Sequence, residues 1–205
     1  FFVNFSNACF SLVIAFALML VSSASSGQSL VETFNYTVAG NIGGSTGGSG
    51  TTNNNWTTHS NSQTGTVSTV TGSLSYTGLS TANNRVSIPG STSTTPRDIN
   101  RACGLPGSQN TTYYSFLLKV VDATQLATSF GTGGNGYFMH FSTTNGAGAS
   151  NFTGKVHIRS SNAAANFRLG VSETGNTPVE VTGDLVFGTT YLVVVKYVYN
   201  NTAGN

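Results

Sequence analysis

Six carboxylates are all the chain offers for acid–base work: Glu32, Asp98, Asp122, Glu173, Glu180 and Asp184. Hydrolysis of a glycosidic bond needs two of them flanking it, roughly 5–10 Å apart. On a strand that means carboxylates two or four residues apart on one face, as in the E-x-D-x-x-E pattern of jelly-roll glucanases. Nothing of that form occurs. Only Glu180 and Asp184 have a suitable spacing, and Gly183 between them reads as a bend, so solvent-facing charge is the plainer reading. No G-x-S-x-G lies on a strand-to-helix turn, so a serine nucleophile has no framework. His59, His140 and His157 are far apart in sequence, with no HxH or HExxH, so no metal centre is expected. No D-x-[DN]-x-[DN]-G loop occurs, which leaves Asp122 or Asp184 with backbone carbonyls as weak candidates for one calcium ion. Gly131 to Gly136 lacks the Lys-Ser/Thr of a phosphate loop and reads as a hairpin connection. The expectation is a protein without catalytic residues and without a cofactor.

One constellation stands out. In Lys155–Ser160, Val156 and Ile158 point one way, so Lys155, His157 and Arg159 point the other. Phe167, Leu169 and Val171 repeat the pattern and leave Arg168 on the polar side. Paired as a hairpin, the two segments set Lys155, His157, Arg159 and Arg168 on one exposed sheet face. That face would suit an acidic or hydroxyl-rich glycan, with arginine as a planar multiple donor. The alternative is an ordinary solvated face whose like charges oppose edge pairing. Trp56 is the sole tryptophan and the first choice of stacking platform for a sugar ring, with Tyr76, Tyr113 or Tyr137 to join it. Packing over the core edge is the plainer role for Trp56.

The elements that must carry these residues are strands. The clearest spans Thr112–Ala123, where Tyr114, Phe116, Leu118 and Val120 alternate onto one face. Others are expected at Leu30–Tyr36, Thr66–Val70, Ser73–Tyr76, Asn84–Ile88, Arg97–Ala102, Tyr137–Ser142, Lys155–Ser160, Phe167–Ser172, Val179–Thr182 and Leu185–Phe187. Tyr191–Tyr199 is apolar on both faces and reads as a central strand. Ala39–Asn55 is low-complexity and reads as a long loop. Strands 8 to 20 residues apart, with no amphipathic helix between them, predict an all-β, antiparallel two-sheet β-sandwich. A closed barrel is the second choice.

Composition agrees. Gly 25, Ser 26, Thr 30 and Asn 21 make up 102 of 205 residues, which is poor material for a helical bundle. With 38% apolar residues and few charges, the chain is neither disordered nor starved of a core. A net charge of +2 makes a field too weak for a nucleic-acid binder.

Leu12 to Val21 is an unbroken apolar run of ten followed by SSASSGQS. That is the length of a signal-peptide core and about half of a membrane span. Residues 1–27 therefore read as a signal peptide, cut between about Ala24 and Gly27, and 28–205 as the mature β domain, with no membrane span. Lacking an initiating Met and a basic start, and ending on a turn after a long strand, the chain is expected to be a fragment at both ends. Cys9 falls in the leader, so Cys103 is the mature chain's lone thiol, expected buried and inert.

Phe34 and Tyr36, Trp56-Thr-Thr-His-Ser60, GSLSYTGL (72–79), TTYYSFLLKV, GYFMHFS, FTGKVHIRSS, FRLGVS and FGTTYLVVVKYVY occur in that order. Together they resemble the concanavalin-A-like, laminin-G-type jelly-roll domain near the N-terminus of exported bacterial surface proteins. The resemblance runs from about Leu30 to Asn205 and rests mostly on packing and turn motifs. It implies a secreted or cell-surface location, further domains in the same parent chain (commonly a type IX sorting domain), and polysaccharide or envelope glycan as partner. It also implies one more strand after Tyr199. A ligand-free structural spacer is the competing role.

Overall fold

The computed structural model describes residues 30–36, 38, 42, 56–59, 67–81, 83–89, 98–104, 111–131, 136–163 and 165–198. The expected leader 1–27, most of the expected loop 39–55 and the expected turn 200–205 lie outside them. The described residues are mostly strand, with no α-helix among them and several antiparallel sheets. No helix among them is long and apolar enough to cross a membrane.

The strands are, in order, β1 Thr57–His59, β2 Ser68–Val70, β3 Arg85–Ser87, β4 Asp98–Asn100, β5 Thr111–Lys119, β6 Tyr137–Ser142, β7 Phe152–Ser160, β8 Asn166–Ser172, β9 Val179–Glu180, β10 Leu185–Val186 and β11 Thr190–Val198. A single 3₁₀ turn, Gly146–Gly148, joins β6 to β7. Thr33–Ala102 and Pro106–Asn205 belong to one compact unit; Leu30–Glu32 and Cys103–Leu105 are assigned to another. All the strands lie in the first.

A five-stranded sheet runs β10-β8-β7-β6, with β9 also on β8. β5 pairs β11 over nine residues, from Thr111↔Val198 to Lys119↔Thr190. β1 pairs β4, and β2 pairs β3. The alternation of β5 does what its pattern predicts: Tyr114 and Phe116 turn toward β6, where Tyr114 meets Phe141 edge-on at 4.7 Å and Phe116 meets Phe138 at 5.8 Å. The Tyr114 hydroxyl donates to the Gly154 carbonyl at 2.9 Å, so this half-buried phenol is satisfied. At the other end Phe167, fully buried, lies 5.6 Å from Phe187 and 5.9 Å from Tyr191. With Val156 and Leu169 it forms the buried apolar layer of β7 and β8.

Two register shifts in β6, between Tyr137 and Met139 and again before Phe141, break its alternation. Phe138 and Phe141 face β5, β11 and their rings, while Tyr137 and His140 fall on the opposite side. Strict alternation would have put Tyr137 and Phe141 together.

Three expectations are corrected. β11 pairs only β5 among the described residues, and its outer side is open, with Val194 and Val198 exposed. Its second apolar row is therefore not buried by the described residues. Leu30–Tyr36 is not a strand, apart from a single bridge at Tyr36, and Phe34 has φ +50°. Ser73–Tyr76 is likewise irregular, closing only a tight Tyr76↔Leu79 bridge.

Candidate functional site

β7 and β8 pair as the expected hairpin, with Lys155↔Ser172, His157↔Gly170 and Arg159↔Arg168. Lys155, His157, Arg159 and Arg168 therefore share one face. The face is not open along its length. Lys155 is 7% and His157 0% exposed, so the expectation of four solvent-facing charges is overturned. Its cover comes from other parts of the chain. The Phe130 ring lies over Gly170, where a Cβ would stand 2.8 Å from it, and approaches His157 and Arg159. Tyr137 lies against His157 and beneath the Lys155 ammonium, 4.7 Å from ring centre to Nζ. A cation over a ring face is attracted by the negative face of the ring. His157 Nε2 is 2.8 Å from Ser172 Oγ across the hairpin.

The two arginines stay at the surface, at 15% and 32% side-chain exposure, but neither acts alone. Like charges directly opposite on two strands repel. Glu180 of β9 offsets this by taking one guanidinium on each oxygen, Arg159 on Oε2 at 2.5 Å and Arg168 on Oε1 at 2.6 Å. Asp184 closes the far side, accepting from Arg168 Nε at 2.5 Å and from Ser161 Oγ at 2.6 Å. The hydrogen bonds from the arginines hold Glu180 below the usual carboxylate range, and those from Arg168 and Ser161 do the same for Asp184. The Arg168 guanidinium is raised in turn by Asp184 and Glu180.

A break in the strand makes this possible. Between β9 and β10 the chain leaves regular pairing, Val181 N–H donating to the Leu169 carbonyl and Thr182 Oγ1 accepting the Leu169 N–H. Glu180 and Asp184 thereby come round both sides of Arg168. Two arginines and two carboxylates leave the patch neutral, so an acidic ligand gains no net attraction there. What remains is a flat array of alternating donors and acceptors.

Trp56 is far from solvent-facing display: it is half-buried and stacks on Phe34, centroids 6.3 Å apart and 21° between planes. Tyr113, by contrast, is well exposed on the outer face of β5. Of the calcium candidates, Asp184 is engaged by Arg168 and Ser161, and Asp122 accepts the Thr124 N–H in a local turn that holds its carboxyl low. An open depression of about 310 Å³ lies beside β11, lined in part by Val171, Glu173, Asn176, Thr177, Val179 and Lys196. It contains none of the candidate binding residues Lys155, His157, Arg159, Arg168 and Trp56.

The three histidines, remote in sequence, converge on the covered side of the sheet. His59 and His140 lie 6.0 Å apart, and Tyr137 touches both His140 and His157. Burial lowers the pKa of both His59 and His140. Among the described residues no group of three His, Cys, Asp or Glu is placed to hold a metal ion. No sequence spacing signals this cluster, because it depends on the β6 shifts and on β1 pairing with β4. Cys103 is partly exposed rather than buried.

Compared with known protein families, curated proteins and solved structures, the chain matches none.

Proposed function

We propose that the chain is a non-catalytic β-sandwich module of an exported surface or secreted protein, and that it recognises neutral, hydroxyl-rich glycans. In this reading β5 and β11 form one leaf of a jelly roll and the five-stranded sheet the other. The aromatic contacts between them support that arrangement. Export rests on the apolar run Leu12–Val21 and the small residues after it, and on the resemblance to surface jelly-roll domains.

The observation that carries the ligand class is the neutral array Arg159–Glu180–Arg168–Asp184 at the surface. Sugar hydroxyls both donate and accept, so they can join such an array without stripping a bare charge of its partner. The same array argues against hydrolysis by Glu180 and Asp184. Both are held ionised by the arginines, whereas a glycosidase keeps one carboxyl protonated as general acid.

A second reading, a ligand-free spacer, is favoured by the fact that the arginines already have partners within the chain. A glycan array separates the two. Binding of neutral oligosaccharides that disappears in Arg168→Ala, with the circular dichroism of the folded chain retained, supports recognition. No binding by folded wild-type protein overturns it in favour of the spacer.

A further inference from the structure

Asn100, at the end of β4, ties three pieces of chain together. Its Nδ2 donates to the Thr57 carbonyl of β1 at 3.2 Å and to the Gly146 carbonyl at 2.9 Å, while its Oδ1 accepts the Gly146 N–H at 2.7 Å. The two Gly146 bonds decide which way round the amide lies. Turned over, it would set oxygen against carbonyl and NH₂ against N–H.

The same Nδ2 stands 3.0 Å from Nδ1 of His59. Nδ2 has two hydrogens for three acceptors, so the one at the longer Thr57 contact is shared with Nδ1; because an amide NH₂ cannot accept, Nδ1 carries no hydrogen and the ring hydrogen sits on Nε2. His59 is 1% exposed, and its Nε2 has no hydrogen-bond partner. An incoming proton has one place to go, Nδ1, where it would point at a donor.

We propose that His59 and Asn100 form a proton-released latch. With His59 neutral, Asn100 ties β1 and β4 to the Gly146–Gly148 turn; a proton on Nδ1 parts the pair and frees that turn while the larger sheets stay folded.

The groups around His59 bear on the balance. Asp98, its cross-strand neighbour in β4, favours the charged ring, but burial opposes it more strongly. His59 itself disfavours a positive charge on His140 of β6, and Lys155 of β7 acts on His140 in the same sense. Tyr137 separates this group from His157. The sign follows from the lowered folded pKa. Closure keeps its full strength above the ordinary histidine value of 6.5, weakens as pH falls below it, and levels off beneath the lowered value. One linked proton changes the opening equilibrium about tenfold per pH unit within that window.

The test is NMR on the full chain between pH 8 and 4, following the His59 ring shifts and the Gly146 amide exchange, corrected for intrinsic rate. The latch requires His59 to titrate below 6.5 and Gly146 protection to fall about tenfold per unit in the window, with β5 and β11 amides unaffected. His59→Gln should abolish the pH response of Gly146, and His140→Gln should keep it. Should His59→Gln fail to fold, the wild-type titration decides alone. Gly146 protection that ignores the His59 titration overturns the latch. So does loss of β5 and β11 protection in step with it, which would be general acid unfolding.

Discussion

Gly170→Ala tests whether Phe130 truly closes the face of β7 and β8. A Cβ at Gly170 would lie 2.8, 3.0 and 3.1 Å from three atoms of the Phe130 ring. Comfortable carbon contacts begin near 3.5 Å, so the ring must retreat by about 0.7 Å or swing away. Retreat gives up its contacts with Arg159 and His157. Crowding of this kind costs about 1–3 kcal/mol, and the alanine returns about 0.4–1 kcal/mol by restricting the unfolded chain. The net expectation is a loss of about 1–2 kcal/mol, read as a lower urea midpoint at unchanged slope and a melting temperature lower by roughly 2–8 °C. In a Phe130→Ala background the obstacle is gone, and Gly170→Ala should be neutral or stabilising. Equal losses in both backgrounds, or no loss with Phe130 present, would refute the packing argument.

Gly154→Ala meets two obstacles, a left-handed backbone at φ +56° and rings of Phe141 and Tyr197 each 3.2 Å from the new Cβ; thermal melting should show a loss of about 2–3 kcal/mol. Arg168→Ala should let the Asp184 carboxyl rise toward its ordinary 3.8, measured by carboxyl-carbon NMR titration. In the wild type, stability contributed by Glu180 and Asp184 is complete above their ordinary values and is lost as pH falls through the lowered ones. An Asp184 titration unchanged by Arg168→Ala would contradict the pairing.

Much of the sheet was legible because alternation is a local property. Tyr114, Phe116 and Leu118 declare one face of β5 without reference to anything else, and Val156, Ile158, Phe167 and Leu169 do the same for the β7–β8 hairpin. Alternation says which side chains share a face, but not what lies over it. Lys155 and His157 read as exposed because Phe130 and Tyr137, which bury them, arrive from separate stretches of chain. β6 is legible as a strand while its facing is not, since a bulge leaves no mark on a six-residue stretch with aromatic rings at both alternating positions. β11 misled in the opposite sense: apolar residues on both sides suggest burial on both sides, yet Leu192, Val194 and Val198 form an outer row that the described residues leave uncovered. His59, His140 and Asn100 carried no signal at all, because their meeting depends on strand pairing across more than forty residues.

The irregular step from Val181 to Asp184 works as a caliper. Its span sets how far apart Glu180 and Asp184 stand, and the object held between its jaws is the Arg168 guanidinium. One residue added there would open the jaws and shift β10 along Phe167 by a position, turning Val186 toward the side that Leu185 now occupies. One residue removed would pull Thr182 off the Leu169 amide and leave that N–H without its acceptor. The length of this short stretch, more than the identity of its residues, is therefore what a lineage or an engineer must hold constant to keep the surface array in register with the sheet beneath.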